Sequence, residues 1–84
     1  MAISDFNDAI RLNPNFAIAY YDRGTAYGKN GNYAKAIRDF DEAIRLDPNY
    51  AAAYNNRGIS YLHTGHRAKA NVDFATAERL NGGQ

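Results

Sequence analysis

Apolar positions recur every three or four residues through most of the chain and never alternate over a strand-length run, so the pattern predicts helices and no sheet. A first helix is expected from about Ala2 to Leu12, with Phe6, Ala9, Ile10 and Leu12 on its packing face. Asn13-Pro14-Asn15 ends it, because proline breaks the hydrogen-bond ladder and pushes the residue before it out of helical geometry. A second helix follows from about Phe16 to Lys29. Gly31 then supplies a left-handed turn position, and Asn32 stands where a side chain can cap the next helix. The third helix spans about Tyr33 to Leu46 and stops at Asp47-Pro48; the fourth and fifth run from about Tyr50 to His63 and Arg67 to Leu80, with Gly65 at the turn between them. The tail beginning at Asn81 is expected to fray.

The pattern repeats itself. Sliding the stretch from Asn15 to Pro48 forward by 34 residues places Tyr20, Arg23, Gly24, Tyr27, Gly31, Ala36, Phe40 and Ala43 on Tyr54, Arg57, Gly58, Tyr61, Gly65, Ala70, Phe74 and Ala77. Sliding it backward lays its second half on the start of the chain, Phe40 and Pro48 falling on Phe6 and Pro14. The organisation read from this is a half repeat over residues 1–14, whole repeats over 15–48 and 49–82, and a tail at 83–84. Gly24 and Gly58 each cost helix propensity, about 1 kcal/mol against alanine. Close approach of a neighbouring helix is the expected compensation, with Ala36, Ala43, Ala70 and Ala77 as facing small residues and Phe40 and Phe74 as large knobs between them.

The period and these residues resemble the tetratricopeptide repeat. The aromatic-x-x-x-Gly-x-x-Tyr of Tyr20, Gly24 and Tyr27, and of Tyr54, Gly58 and Tyr61, matches the first helix of that unit. The Ala-x-x-x-Phe-x-x-Ala of Ala36, Phe40 and Ala43, and of Ala70, Phe74 and Ala77, matches the second. Two features depart from the family pattern: Tyr20 and Tyr54 stand for a usual Trp, and Arg23 and Arg57 for a usual Leu. The resemblance implies an all-α, right-handed superhelical α-solenoid of antiparallel helix pairs, here with five helices. It also implies a protein–protein interaction scaffold that holds a partner's peptide or helix in a concave groove lined by the first helices. The positions that map to that groove are Ile18, Tyr21, Asp22, Thr25, Lys29, Ala52, Asn55, Asn56, Ile59 and His63. Asn55 and Asn56 can bond a peptide backbone whatever its sequence, and Tyr21 offers a flat amphipathic contact. Some family members grip a C-terminal carboxylate with Lys, Asn and Arg; Asn56 matches one clamp position, but Tyr21 and Thr25 stand where the first-repeat Lys and Asn would be, which argues against that clamp here.

The ends of the repeat array differ. Ile37 and Ile44 become Asn71 and Glu78 in the fifth helix, as a solvent-facing terminal helix requires. Ile3, Phe6 and Ile10 keep their interior character although the first helix of their repeat is missing. The expectation is the C-terminal end of a longer array, with a naturally short chain as the alternative, and a homo-oligomer formed by packing or exchange of the N-terminal helix. Arg23 and Arg57 are expected to pair across repeats with Asp5 and Asp39, pairing within each repeat being the competitor.

Composition narrows the chemistry. A net charge of +1 with acids and bases interspersed gives no electrostatic case for nucleic acid or a membrane surface. There is no cysteine for a disulfide or thiolate metal site, and no apolar run long enough to span a membrane or serve as a leader. A soluble chain, cytoplasmic by default, is expected, with no cofactor and no enzymatic activity. His63 and His66 flank a turn glycine and read as helix-end and cap residues, and Ser4 and Ser60 have no His and acid arranged around them.

Overall fold

The computed structural model describes residues 3–82. The expectations for Ala2 and for the tail at 83–84 lie outside them. Five helices follow one another, α1 (Ile3–Leu12), α2 (Ala17–Lys29), α3 (Tyr33–Leu46), α4 (Ala51–His63) and α5 (Arg67–Leu80), and there is no strand among the described residues. Each helix packs on its neighbour in sequence, and α2 also touches α4. The molecule is a slab of 37 × 25 × 17 Å. Its thin dimension is about two helix diameters, so α2 and α4 form one layer and α1, α3 and α5 the other.

The turns follow from a few residues. Gly31 and Gly65 adopt φ values of 81° and 80°, and the amides of Asn32 and His66 close back on the carbonyls of Tyr27 and Tyr61, each at 2.8 Å. At the other end of each pair, Asn13 and Asp47 precede proline and accept from the amides of Asn15 and Asn49 through Oδ1, each at 3.2 Å. Phe16 and Tyr50 are not the first helical residues but the extended positions just before α2 and α4. Asn32 occupies the position before α3 without forming a side-chain cap, so the capping expectation is corrected: the turn is closed by backbone bonds around Gly31 instead. Asn81 and Gly82 do not fray; their amides bond the carbonyls of Ala77 and Arg79 at 3.0 and 3.1 Å, with Gly82 at φ 75°.

The core is built mostly of alanine. Ala19, Ala36, Ala43, Ala53, Ala70 and Ala77 are buried, and Phe40, 1% exposed, is the largest side chain fully inside. The close approach at Gly24 is made by the ring of Phe40 rather than by facing alanines: a Cβ on Gly24 would lie 2.8 Å from Phe40 Cε1. Gly58 repeats the arrangement, with Phe74 Cε1 at 2.7 Å. Phe74 is half-buried, because no further helix lies over it among the described residues; Asn71 and Glu78 are exposed.

The arginines correct the expected pairing. Arg23 reaches Asp39 of its own repeat through Nε and Nη2 at 2.8 and 2.6 Å, not Asp5, and its Nη1 donates to Asn7 Oδ1 at 2.9 Å. Arg57 likewise takes Asp73 at 2.8 and 2.7 Å, not Asp39, and crosses to the preceding repeat through Asp41 at 2.9 Å. The register explains the correction. Asp39 and Asp73 stand on the second helix of each pair and are buried, Asp39 with its Cβ against Gly24 and Asp73 next in sequence to the Phe74 that packs on Gly58. Each guanidinium also lies between two tyrosine rings, Arg23 at 5.7 and 5.9 Å from Tyr20 and Tyr27, Arg57 at 5.5 and 5.7 Å from Tyr54 and Tyr61. Each arginine that stands for a leucine thus lies against the tyrosine that stands for a tryptophan and against the family-pattern tyrosine three residues after the packing glycine.

Candidate peptide-binding groove

The layer formed by α2 and α4 carries a polar link between repeats. Asn56 donates from Nδ2 to the Tyr21 hydroxyl at 2.9 Å and to Thr25 Oγ1 at 3.4 Å, and Thr25 in turn donates to the Tyr21 carbonyl at 2.9 Å. The Asn56 side-chain oxygen, Oδ1, has no hydrogen bond to another described residue, so it remains an acceptor on this face. Below the link the Tyr21 ring packs on Phe40 and Tyr50, with centroids 5.9 and 5.0 Å away. Burial, with Tyr21, Asp22 and Asp47 adding to it, pushes the Tyr50 hydroxyl up to about 12.

Towards the turn end of this layer lies a cavity of about 240 Å³, walled by Thr25, Gly28, Lys29, Tyr33, Phe40, Asn56, Ile59, Ser60 and His63. It is smaller than the ~300–1,000 Å³ of a typical small-molecule site and suits one or two side chains. Ile59 is 43% exposed at its rim. The Tyr33 and His63 rings stack face to face, 4.3 Å between centroids and 3° from parallel, closing the cavity on the turn side.

Of the positions expected to line a groove, Thr25, Lys29, Asn56, Ile59 and His63 meet at this cavity, and Tyr21 joins them through Asn56. Ile18, 53% exposed, and Asp22 lie earlier on α2, outside the cavity, Asp22 being among the charges that act on Tyr50. Ala52 and Asn55 open onto a separate cleft of about 600 Å³ between α4 and α5, beside Phe74 and Glu78. The expected set is thus split between two concavities, with Ile18 and Asp22 in neither. Gly28, Tyr33 and Ser60 are wall residues that the sequence reading did not place in a groove. Tyr33 begins a second-layer helix, and it reaches this face only because it stacks on a ring from the end of α4.

His66 stands at the position before α5, its Nδ1 3.0 Å from Thr64 Oγ1. No group of three or more His, Asp or Glu side chains set to hold a metal occurs among the described residues. No described helix is long and apolar enough to cross a membrane. On α1, Ile3, Phe6 and Ile10 are each half-buried, and no residue of that helix is fully covered.

Helix pairs stacked in sequence, with a glycine-on-phenylalanine contact in each pair, define an α-helical repeat solenoid. Family models described as "Tetratricopeptide repeat" match residues 17–50 and 40–72, and one described as "TPR repeat" matches residues 1–31. The chain belongs to the tetratricopeptide repeat family. Among solved structures, the second TPR of Spaghetti (RPAP3), bound to the HSP90 peptide SRMEEVD, is 31% identical with a TM-score of 0.91, over 93% of this chain and 72% of that one. A crystal structure of MamA is 32% identical with a TM-score of 0.91, over 95% of this chain and 47% of that one. The chain therefore spans about half the length of the MamA chains it matches. The first TPR of Spaghetti shares the fold, with a TM-score of 0.94 at 22% identity, over 98% of this chain and 65% of that one. No curated protein matches the sequence significantly.

Proposed function

We propose that this chain is a protein-interaction scaffold that takes an extended peptide segment of a partner along the α2–α4 layer, with an apolar side chain of that peptide in the cavity beside Ile59. The observation that carries this reading is the cavity itself. It has an apolar floor at Phe40, an exposed Ile59 at its rim and polar groups of Asn56, Thr25 and Ser60 around it, the composition that anchors a side chain while bonding the backbone beside it. The peptide held by the RPAP3 relative supports the ligand class.

A peptide chosen from a random display library and titrated calorimetrically tests it. Ile59→Glu is expected to weaken binding about tenfold or more while leaving the thermal midpoint unchanged, because Ile59 is 43% exposed. Unaltered affinity would overturn the groove.

A second reading rests on α1. None of its residues is fully covered, and Leu12, expected on its packing face, is instead 74% exposed. This favours self-association through Ile3, Phe6 and Ile10, by packing against or exchanging the helix with another copy.

A further inference from the structure

Residues of α1, α2 and α3 wall an open cavity of about 360 Å³: Asn7, Arg23, Tyr27, Lys35, Arg38 and Asp39. The repeat builds it twice. A shift of 34 residues carries Arg23, Tyr27, Lys35 and Asp39 onto Arg57, Tyr61, Lys69 and Asp73, which wall a cavity of about 280 Å³ one repeat on. Both arginines make the same bidentate bond to an aspartate, and both lysines lie over the same tyrosine, at 5.5 and 5.6 Å. These shared contacts account for those residues as structure. Two positions differ. Arg57 meets the carboxylate of Asp41 where Arg23 meets the carboxamide of Asn7, each at 2.9 Å, and the Val72 of the second cavity is Arg38 in the first.

Both differences change the site in the same direction. In the first repeat Arg23, Lys35 and Arg38 stand against the single carboxylate of Asp39; in the second Arg57 and Lys69 stand against both Asp73 and Asp41. Neither difference helps the fold. A carboxylate would hold the Arg23 guanidinium more strongly than the neutral amide of Asn7 does. Arg38 is exposed, and its guanidinium has no ion pair, hydrogen bond or ring contact with another described residue. Both oxygens of Asp39 are taken by Arg23, and its side chain is 7% exposed, so the one negative charge is neutralised inside the protein. The groups left over are donors: the second N–H of Arg23 Nη1 and of Nη2, the Nδ2 of Asn7 and the whole guanidinium of Arg38.

We propose that the first cavity binds a phosphate monoester, the phosphorylated serine or threonine side chain of a protein partner. The site is separate from the groove, with which it shares no wall residue. Its unbalanced positive charge matches the dianion of a phosphate monoester, where a carboxylate would neutralise only half of it. Arg38 can take two phosphate oxygens in a fork, with Arg23 and Asn7 donating to the others. A nucleotide fits less well. Tyr27, the one ring on the wall, already carries Arg23 and Lys35 at 5.9 and 5.5 Å, so it offers a base little to stack on, and a phosphate on a short aliphatic stem is favoured.

A short peptide with phosphoserine between alanines, its serine counterpart and adenosine monophosphate, each titrated into ¹⁵N-labelled protein, test it. The phosphopeptide is expected to bind about tenfold tighter than the serine peptide, with saturable shifts of the Arg23 and Arg38 Nε–H signals and of the Asn7 side-chain amide. Arg38→Val and Asn7→Asp give the first site the residues of the second, and each is expected to cost about threefold. The reverse exchange, Asp41→Asn with Val72→Arg, is expected to give the second cavity a similar affinity, read at Arg57 Nε–H, so the result does not rest on a loss alone. Equal binding of the two peptides, full affinity in the Asn7→Asp, Arg38→Val double variant, no gain from the reverse exchange, or tighter binding of adenosine monophosphate would overturn the proposal. Ile59→Glu is expected to leave phosphopeptide binding unchanged, so the site stands if the groove fails its own test. Loss of binding in that variant would put the phosphopeptide in the groove and overturn the site.

Discussion

Arg57 meets Asp73 in two parallel hydrogen bonds, Nε to Oδ2 at 2.8 Å and Nη2 to Oδ1 at 2.7 Å, with the carboxylate 4% exposed and the guanidinium 19%. The bidentate geometry raises the arginine's pKa against the opposing effect of burial, and Arg23 with Asp39 shows the same effect one repeat earlier. Removing Arg57 would leave a buried carboxylate without its partner. Arg57→Ala is therefore expected to destabilise by about 3 kcal/mol. A double-mutant cycle read by urea unfolding should give a coupling above about 1 kcal/mol for Arg57 with Asp73 and none for Arg57 with Asp39.

The two packing glycines should not respond alike. A methyl on Gly24 would press on Phe40, which is 1% exposed and has nowhere to move, whereas a methyl on Gly58 would press on Phe74, which is half-buried and can turn outward. Gly24→Ala is expected to destabilise by about 1–2 kcal/mol after its gain in helix propensity, and Gly58→Ala by less than about 1 kcal/mol. Equal losses on denaturation would show that the last helix pair is as confined as the first.

The same asymmetry governs the phenylalanines. Phe40→Ala removes the largest fully buried side chain and should cost about 3–5 kcal/mol, enough to leave most molecules unfolded at room temperature. Phe74→Ala should cost about half as much, read by the same unfolding curves.

Tyr50 supplies a pH test. Its hydroxyl is pushed up to about 12, from the ~10 of an exposed tyrosine. A raised folded-state pKa means that the neutral form is favoured by folding, so its contribution is complete below about pH 10 and is lost as pH rises towards 12. Burial pushes Tyr61 up as well, so ultraviolet titration should show a late tyrosinate step whose amplitude falls by one tyrosine in Tyr50→Phe.

Self-association through α1 predicts a mass by light scattering that rises with concentration and returns to the monomer in Phe6→Lys. A monomer at every concentration would remove that reading.

Much of the fold was legible because it rests on local signals: the period of apolar positions, Gly31 and Gly65 at the turns, Pro14 and Pro48 beyond the helix ends. What was not legible depended on which of several equivalent residues met. Asp5, Asp39 and Asp73 occupy one repeat position, so the sequence could not say whether Arg57 chose its own repeat or the one before. The answer came from helix spacing at Gly58. In the groove, Asn56, Ile59 and His63 were legible as one helix face. Tyr33 was not, since its contact with His63 joins the ends of helices from different repeats.

The claim on which the account turns is that a peptide occupies the α2–α4 layer. Amide chemical-shift mapping with a library-selected peptide tests it most directly. The account predicts that the largest changes fall on Thr25, Lys29, Asn56, Ile59 and His63; changes confined to α1, or to the Arg23 and Arg57 side of the helices, would contradict it.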